Sequence, residues 1–227
     1  MEKSEGNKKM NYSDIRKNEE IRAFIRKGNA NLRVLGYTDH SEAHTGLVAE
    51  RAAYILAEMG YSQHEQELAR IAGFMHDIGN AINRKQHAEY GGILANSILK
   101  DMDISMEDRI TIASAIAHHD ESTGGATDVV SAALIIADKT DVRRNRVCET
   151  DKTTFDIQDR VNYAVIENKV IVNVDDKIIT LELTIDETVC TMYEYFDIFL
   201  QRMLLSRAAA EMLGAKFSLK VNGNKVL

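Results

Sequence analysis

Apolar stretches at helical spacing in the first part of this chain end on histidine and aspartate. Residues 71–75 close on His76 and Asp77; a stripe of Ile110, Ile112, Ala113, Ile116 and Ala117 runs into His118 and His119; residues 129–137 deliver Asp138 and Lys139. Packing alone favours Leu or Ile at such places, because a polar group taken out of water costs free energy unless it finds a partner. The polar groups therefore restrict the fold to one whose helix ends converge.

The helices can be placed from periodicity and caps. Ser41 precedes residues 42–59, where His44, Val48, Ala52, Ile55 and Met59 share a stripe and Gly60 follows as a stop. Ser62 caps a second helix whose apolar face is Leu68, Ile71, Ala72 and Met75, ended by Gly79. A third is predicted over residues 87–99, opening on His87; its Gly91 and Gly92 permit close backbone packing at some cost in helix stability. Ser105 and Asp108 bracket a fourth start, Gly124 and Gly125 mark a loop, and the helix of residues 129–137 precedes basic Arg143, Arg144 and Arg146. The absence of proline suits long uninterrupted helices.

The pattern changes after Thr150. Residues 163–166, 169–174 and 177–185 alternate β-branched and polar residues as strands do, with turns at Asn168 and Asp175-Asp176. Residues 188–213 read as one amphipathic helix stopped by Gly214, and residues 216–221 as a last strand before Asn222-Gly223. The expected fold class is mainly α: an all-helical bundle over residues 1–150 with a small α+β (β-β-α-β) appendage over residues 151–227.

Composition removes some classes of function. With 44% hydrophobic and 28% charged residues, the chain is an ordered globular protein. A net charge of −7 without a basic block argues against bulk nucleic-acid binding. No apolar run approaches a membrane span and no signal-peptide core opens the chain, so a cytoplasmic location is expected. Cys148 and Cys190 lack CxxC partners and read as reduced thiols.

Imidazole mixed with carboxylate suits iron, manganese, zinc or a similar divalent ion. One such histidine alone is more often structural, so the weight lies in the joint pattern, which takes in five of the seven histidines. His44, then His76-Asp77-Ile78-Gly79, then His87, His118-His119 and Asp138 resemble the HD-domain superfamily of metal-dependent phosphohydrolases over residues 39–147. The extra histidines resemble its binuclear branch, which includes diadenosine tetraphosphate hydrolases and cyclic dinucleotide phosphodiesterases.

The resemblance implies one or two divalent ions (Fe, Mn, Zn, Ni or Mg). His44, His76, Asp77 and Asp138 would hold the first, and Asp77 would bridge to a second held by His87 and by His118 or His119. Neighbours on a helix point about 100° apart, so adjacency leaves open which of the two is the ligand; the other would bind phosphate. Asp77, His119 and Lys139 are the expected catalytic residues. Lys139, Arg143 and Arg84 (or Lys85) are expected to meet phosphate, whereas Arg144 and Arg146 also fit a solvated helix end. His40, four residues before His44, reads as an exposed loop residue in preference to a group that supports a ligand or contacts substrate, and His64 reads as surface.

Two departures limit the resemblance. Asn80 stands where many relatives with His-Asp-Ile-Gly carry lysine, and no Gly-Tyr-Pro follows the His doublet, which argues against the HD-GYP type. The expected function is hydrolysis of a phosphoester or phosphoanhydride in a nucleotide or other small phosphate compound. The alternatives are a cyclic dinucleotide phosphodiesterase, or a non-catalytic sensor scaffold whose tail binds a partner or forms a homodimer.

Overall fold

The structure is a computed structural model that describes residues 10–149 and 151–227. Two N-terminal helices, α1 (Tyr12–Lys17) and α2 (Glu19–Val34), are each started by an asparagine, Asn11 and Asn18, whose side chain accepts from backbone N–H groups of the first turn. Ile21, Ile25 and Leu32 form the buried stripe of α2. Helix α3 (Glu42–Glu58) is capped by Ser41, and α4 (Gln63–Met75) by a reciprocal Ser62–Glu65 box. Gly60, at φ 81°, supplies the left-handed turn between them.

Helix α4 stops at Met75, and the chain tightens into a 3-10 turn over Ile78–Ala81 before α5 (His87–Lys100). Helix α6 (Met106–Ala117) is capped by Ser105, and α7 (Val129–Lys139) by an Asp128–Ser131 box. Every residue of α7 from Val130 to Ala137 is buried. A helix apolar all round must be enclosed, and α7 accordingly packs against α3, α4, α6 and the long C-terminal helix.

The remainder is α8 (Ile157–Ala164), β1 (Val165–Asn173), β2 (Ile178–Ile185), α9 (Met192–Met212), β3 (Lys216–Val221) and β4 (Asn224–Lys225). The sheet order is β1-β2-β3-β4. Its β1/β2 and β3/β4 pairs are antiparallel; β2 and β3 are parallel and joined through α9. Asn222 (φ 49°) and Gly223 (φ 81°) make the two-residue turn of the last hairpin.

The tail departs from expectation at three places. Residues 163–164 finish α8 instead of opening a strand. Residues 165–173 form one strand, so Asn168 lies within β1 and is not a turn; its side chain is held by Thr140, Val142 and Arg51, and those contacts override its turn preference. Helix α9 begins at Met192, where Thr191 and Glu194 form a capping box, and not at residue 188. Among the described residues no helix is long and apolar enough to cross a membrane.

Two close backbone approaches set the spacing of the bundle. A Cβ on Gly73 of α4 would lie 2.7 Å from Ala49 Cα of α3, and one on Gly92 of α5 would lie 2.7 Å from the Ala113 carbonyl oxygen of α6. Gly73→Ala must therefore push α3 and α4 apart. We expect a loss of about 1–3 kcal/mol, read as a lower urea midpoint at unchanged m-value; a wild-type midpoint would show that the helices are not held at this distance.

Candidate metal centre

Five helices, α3 to α7, deliver the polar side chains to one place. His44 enters from the first turn of α3, His76 and Asp77 from the end of α4, His87 from the first residue of α5, and His119 from just past α6. Asp138 comes from the last turn of α7. The 3-10 turn makes this convergence work. A Cβ on Gly79 would sit 2.0 Å from the His87 carbonyl oxygen, and one on Gly91 would sit 3.0 Å from the His76 carbonyl oxygen. Only glycine lets α5 lie this close to the His76-Asp77 corner.

Each ring is fixed through its Nδ1. His76 Nδ1 meets the Gly73 carbonyl at 2.8 Å, His87 Nδ1 the Arg84 carbonyl at 3.1 Å, and His119 Nδ1 the Ile116 carbonyl at 2.6 Å. His44 Nδ1 lies 2.7 Å from Asp141 Oδ2. Carbonyl and carboxylate oxygens only accept, so all four Nδ1 atoms donate and all four Nε2 atoms face inward. His44 Nε2 is 3.5 Å from Asp77 Oδ2 and 3.4 Å from Asp138 Oδ1. His76 Nε2 is 3.2 Å from Asp77 Oδ2 and 3.7 Å from Asp138 Oδ1. On the other side, His87 Nε2 is 3.7 Å from Asp77 Oδ1 and 3.1 Å from His119 Nε2.

The donor atoms form three overlapping groups, each tight enough for one ion: His44, His76 and Asp77; His76, His119 and Asp138; Asp77, His87 and His119. Whether the residues suit a cation is answered by what lacks a partner. His44 Nε2, His76 Nε2 and Asp77 Oδ2 are buried and, among the described residues, make no hydrogen bond. Leaving such groups unsatisfied costs about 1–3 kcal/mol each. His87 and His119 give a second indication. Burial lowers the pKa of both, His119 to about 3 with further repulsion from His76 and His87. Both rings are thus neutral near pH 7 with their protons on Nδ1, so two Nε2 lone pairs oppose each other at 3.1 Å. A cation between them removes that repulsion.

Charge around the centre is steeply shifted. Burial opposes ionisation of Asp77, yet His76 and His40 hold it well below the usual carboxylate range. Asp138 is likewise held low, against burial, by Lys139 and by the His44 and His76 rings that face it. Burial disfavours a charged His76, but the Asp77 and Asp138 carboxylates outweigh it and lift the ring to about 10. Asp77 is also anchored by Asn80, which donates to Oδ1 at 2.8 Å. Asn80 therefore orients the carboxylate that two of the donor groups share.

The other expected residues lie around this group. His118 is half-buried, with Nδ1 on the Ser114 carbonyl at 2.9 Å, and belongs to none of the three donor groups. Lys139 is buried between Asp138 Oδ2 (2.9 Å) and Glu121 Oε2 (2.5 Å). Arg143 pairs with Asp141, and Arg84 donates to Asn80 Oδ1 at 3.3 Å with its guanidinium 5.2 Å from the Tyr37 ring centroid. Lys85 and Arg144 are exposed, while Arg146 is buried and bonded to the Asp39 and Asp141 carbonyls. His64 is half-exposed and paired with Asp108. His40 is not exposed: it is half-buried, edge-on to His44 with ring centroids 5.5 Å apart.

Sequence reasoning missed two carboxylates at the ligands, Asp141 on the Nδ1 side of His44 and Asp120 on the inward, Nε2 side of His87. Asp141 holds His44, and Asp120 Oδ2 lies 3.8 Å from His87 Nε2. Both directly follow or closely trail named residues, yet an aspartate in a loop carries no signal of its own.

Because His76 keeps a proton up to about pH 10 when only the carboxylates face it, an ion must displace that proton. Uptake of Mn²⁺ at pH 7 is expected to release a proton and to weaken as pH falls. Calorimetry in buffers of different ionisation enthalpy reads the release directly. Binding heats independent of buffer would contradict the assignment of His76.

The chain is 26% identical over 205 residues to an uncharacterized protein of Methanocaldococcus jannaschii, the match covering 79% of this chain and 77% of that one. It is also similar to the crystal structure of a predicted HD superfamily hydrolase from an uncultured Thermotogales bacterium. That likeness has a TM-score of 0.45 and 23% identity, over 59% of this chain and 75% of the other. The model of the HD domain matches residues 42–155, half of the chain, and takes in every residue of the three donor groups. The protein belongs to the HD-domain family.

Proposed function

We propose that this protein is a metal-dependent phosphohydrolase that cleaves a phosphoester or phosphoanhydride bond in a nucleotide or other small phosphate compound. The observation that carries the reading is the pair of donor sets meeting on one carboxylate. Asp77 Oδ2 faces His44 and His76, whereas Oδ1 faces His87. In this reading one ion would be held by His44, His76 and Asp77, with Asp138 facing the same two rings, and a second by Asp77, His87 and His119. A divalent ion bound there supplies Lewis acidity and makes water a nucleophile for phosphorus at neutral pH.

The chain's own groups have definable parts. The four Nδ1 anchors keep the imidazoles aimed before any ligand arrives, so little ordering entropy is lost on binding. Asn80 fixes the plane of the Asp77 carboxylate by donating to Oδ1. Burial acts against a charged Lys139, but Asp138 and Glu121 raise its pKa, so the ammonium persists and can offset charge on a phosphate. Cytoplasmic location remains part of the proposal, as does a small anionic substrate in place of bulk nucleic acid.

Asp77→Ala should abolish both metal content after dialysis and hydrolysis across a panel of nucleoside phosphates, dinucleoside polyphosphates and cyclic dinucleotides supplied with Mn²⁺ or Fe²⁺. His87→Ala should lower metal content while leaving the ion at His44 in place. Wild-type turnover by the Asp77 variant would end the proposal, and unchanged metal content in the His87 variant would reduce it to one ion. A linear dinucleotide as the main product would instead favour cyclic dinucleotide phosphodiesterase activity.

A further inference from the structure

We infer that Asn168, on β1 and outside the residues matched by the HD-domain model, is a positioning residue for the metal centre, acting through the turn at residues 140–142. The inference rests on the ion-binding reading above. It gives the C-terminal sheet a part in the site that its strands alone do not suggest.

The link is a chain of short polar contacts. Asn168 Nδ2 donates to the Thr140 carbonyl at 2.7 Å and to the Val142 carbonyl at 3.0 Å. These two carbonyls flank Asp141, whose Oδ2 accepts from His44 Nδ1 at 2.7 Å. Asn168 Oδ1 accepts in turn from Arg51 Nη2 at 2.9 Å, while Arg51 Nη1 donates to Thr140 Oγ1 at 3.1 Å. Arg51 and His44 are seven residues apart on α3, two helical turns, and so share a face. One side chain from the sheet thus closes a loop that contains a metal-ligating imidazole, the carboxylate orienting it, and the turn carrying that carboxylate.

Within the turn the Thr140 carbonyl accepts from Val142 N–H at 3.1 Å, and the Val142 carbonyl needs an external partner. Thr140, Asp141 and Val142 are all fully buried, so their carbonyl groups cannot turn to water. Arg143 and Arg146 bind the Asp141 carboxylate and its own carbonyl. Both carbonyls on either side of it are taken by Asn168 alone among the side chains described. An amide suits the task because it offers two N–H groups in one plane and keeps an acceptor for Arg51.

The sheet is also bent to present this residue. The β1/β2 register shifts between Val165 and Glu167, and Ile166 and Glu167 are both exposed, breaking the alternation set by buried Val165. After that bulge Asn168, Val170 and Val172 are the half-buried positions. Strict alternation from Val165 would have turned Asn168 to solvent. Bulges re-aim side chains in this way.

The test compares Asn168→Ala with Val170→Ala, which trims the next inward-facing residue of the same strand and touches no polar group of the turn. Mn²⁺ affinity by calorimetry, the melting temperature and the His44 Nδ1–H proton resonance are measured for each. Asn168→Ala should weaken Mn²⁺ binding about tenfold, the low end for groups that support ligands from behind, and should shift or broaden the His44 resonance. Val170→Ala should lower the melting temperature with affinity and resonance unchanged. If Asn168→Ala does not fold, Asn168→Ser, which can keep one donor, is measured instead and should show a smaller loss with the same resonance change. Wild-type affinity and resonance in the Asn168 variant, or losses in both variants that track melting temperature, would overturn the inference. Failure of the wild-type protein to take up Mn²⁺ would count against the metal reading alone, since the His44 resonance still reports whether Asn168 holds the turn.

Discussion

The Asp77 carboxylate is buried among imidazoles, and the rest of the centre follows from the need to neutralise it there. An ionised carboxylate removed from water costs several kcal/mol even after relaxation, so the fold must surround it with groups that accept its charge. The four rings around it do not meet that demand by themselves, because each has its Nδ1 proton committed to an oxygen behind it. With those protons directed outward, the inner atoms are acceptors facing acceptors, and Asp77 and Asp138 add more negative character. A proton on His76 neutralises part of this, as its raised pKa indicates. It does nothing for the lone pairs of His87 and His119 on the opposite side. The two halves of the site therefore differ: carboxylates face His76 in one, whereas two imidazole nitrogens oppose each other at 3.1 Å in the other.

The bundle is shaped to permit this concentration of polar groups. Helix α7 has no polar face, which places its C-terminal Asp138 and Lys139 at the boundary between the apolar interior and the site. Glycines at 79 and 91 remove the Cβ atoms that would hold α5 away from the His76-Asp77 corner. The 3-10 turn over Ile78–Ala81 then brings Asn80 back onto Asp77. An interior of this kind tolerates polar atoms only where each has a fixed direction. Two of the hydrogen bonds that fix those directions go to backbone carbonyls in the last turn of a helix, Gly73 of α4 and Ile116 of α6.

These facts also explain which parts were legible in the sequence. His76-Asp77, His119 and Asp138 could be found because each interrupts an apolar run, and a polar residue where Leu would pack is a strong signal. His44 and His87 were visible through the caps and stripes of their helices. Asp141 was not, because an aspartate after a helix is an ordinary residue, and only its contact with His44, 97 positions earlier, gives it meaning. His40 was read as exposed because loops generally are, yet the ring it packs on belongs to the site. Asn168 was mistaken for a turn because asparagine favours turns, and its burial against residues 140 and 142 depends on a bulge that no local pattern announces. Local periodicity thus identified the groups that point inward, and missed those that brace them across long stretches of chain.

The bracing groups matter for how the C-terminal segment is understood. Its strand β1 reaches the turn after α7 through Asn168, and its helix α9 reaches the loop after α6 through Arg202, which pairs with Glu121 at 3.3 Å. Glu121 in turn holds Lys139. Burial opposes its ionisation, but Lys139 and Arg202 bring its pKa down to about 2, so this carboxylate contributes stability above about pH 4.5 that fades as pH falls toward 2. The segment therefore grips both polypeptide corners that flank the metal-facing end of α7. A helical core with only its own loops at those corners would leave the Val142 carbonyl to find another partner and Glu121 with Lys139 alone. The sheet and α9 add contacts at both loops next to the site.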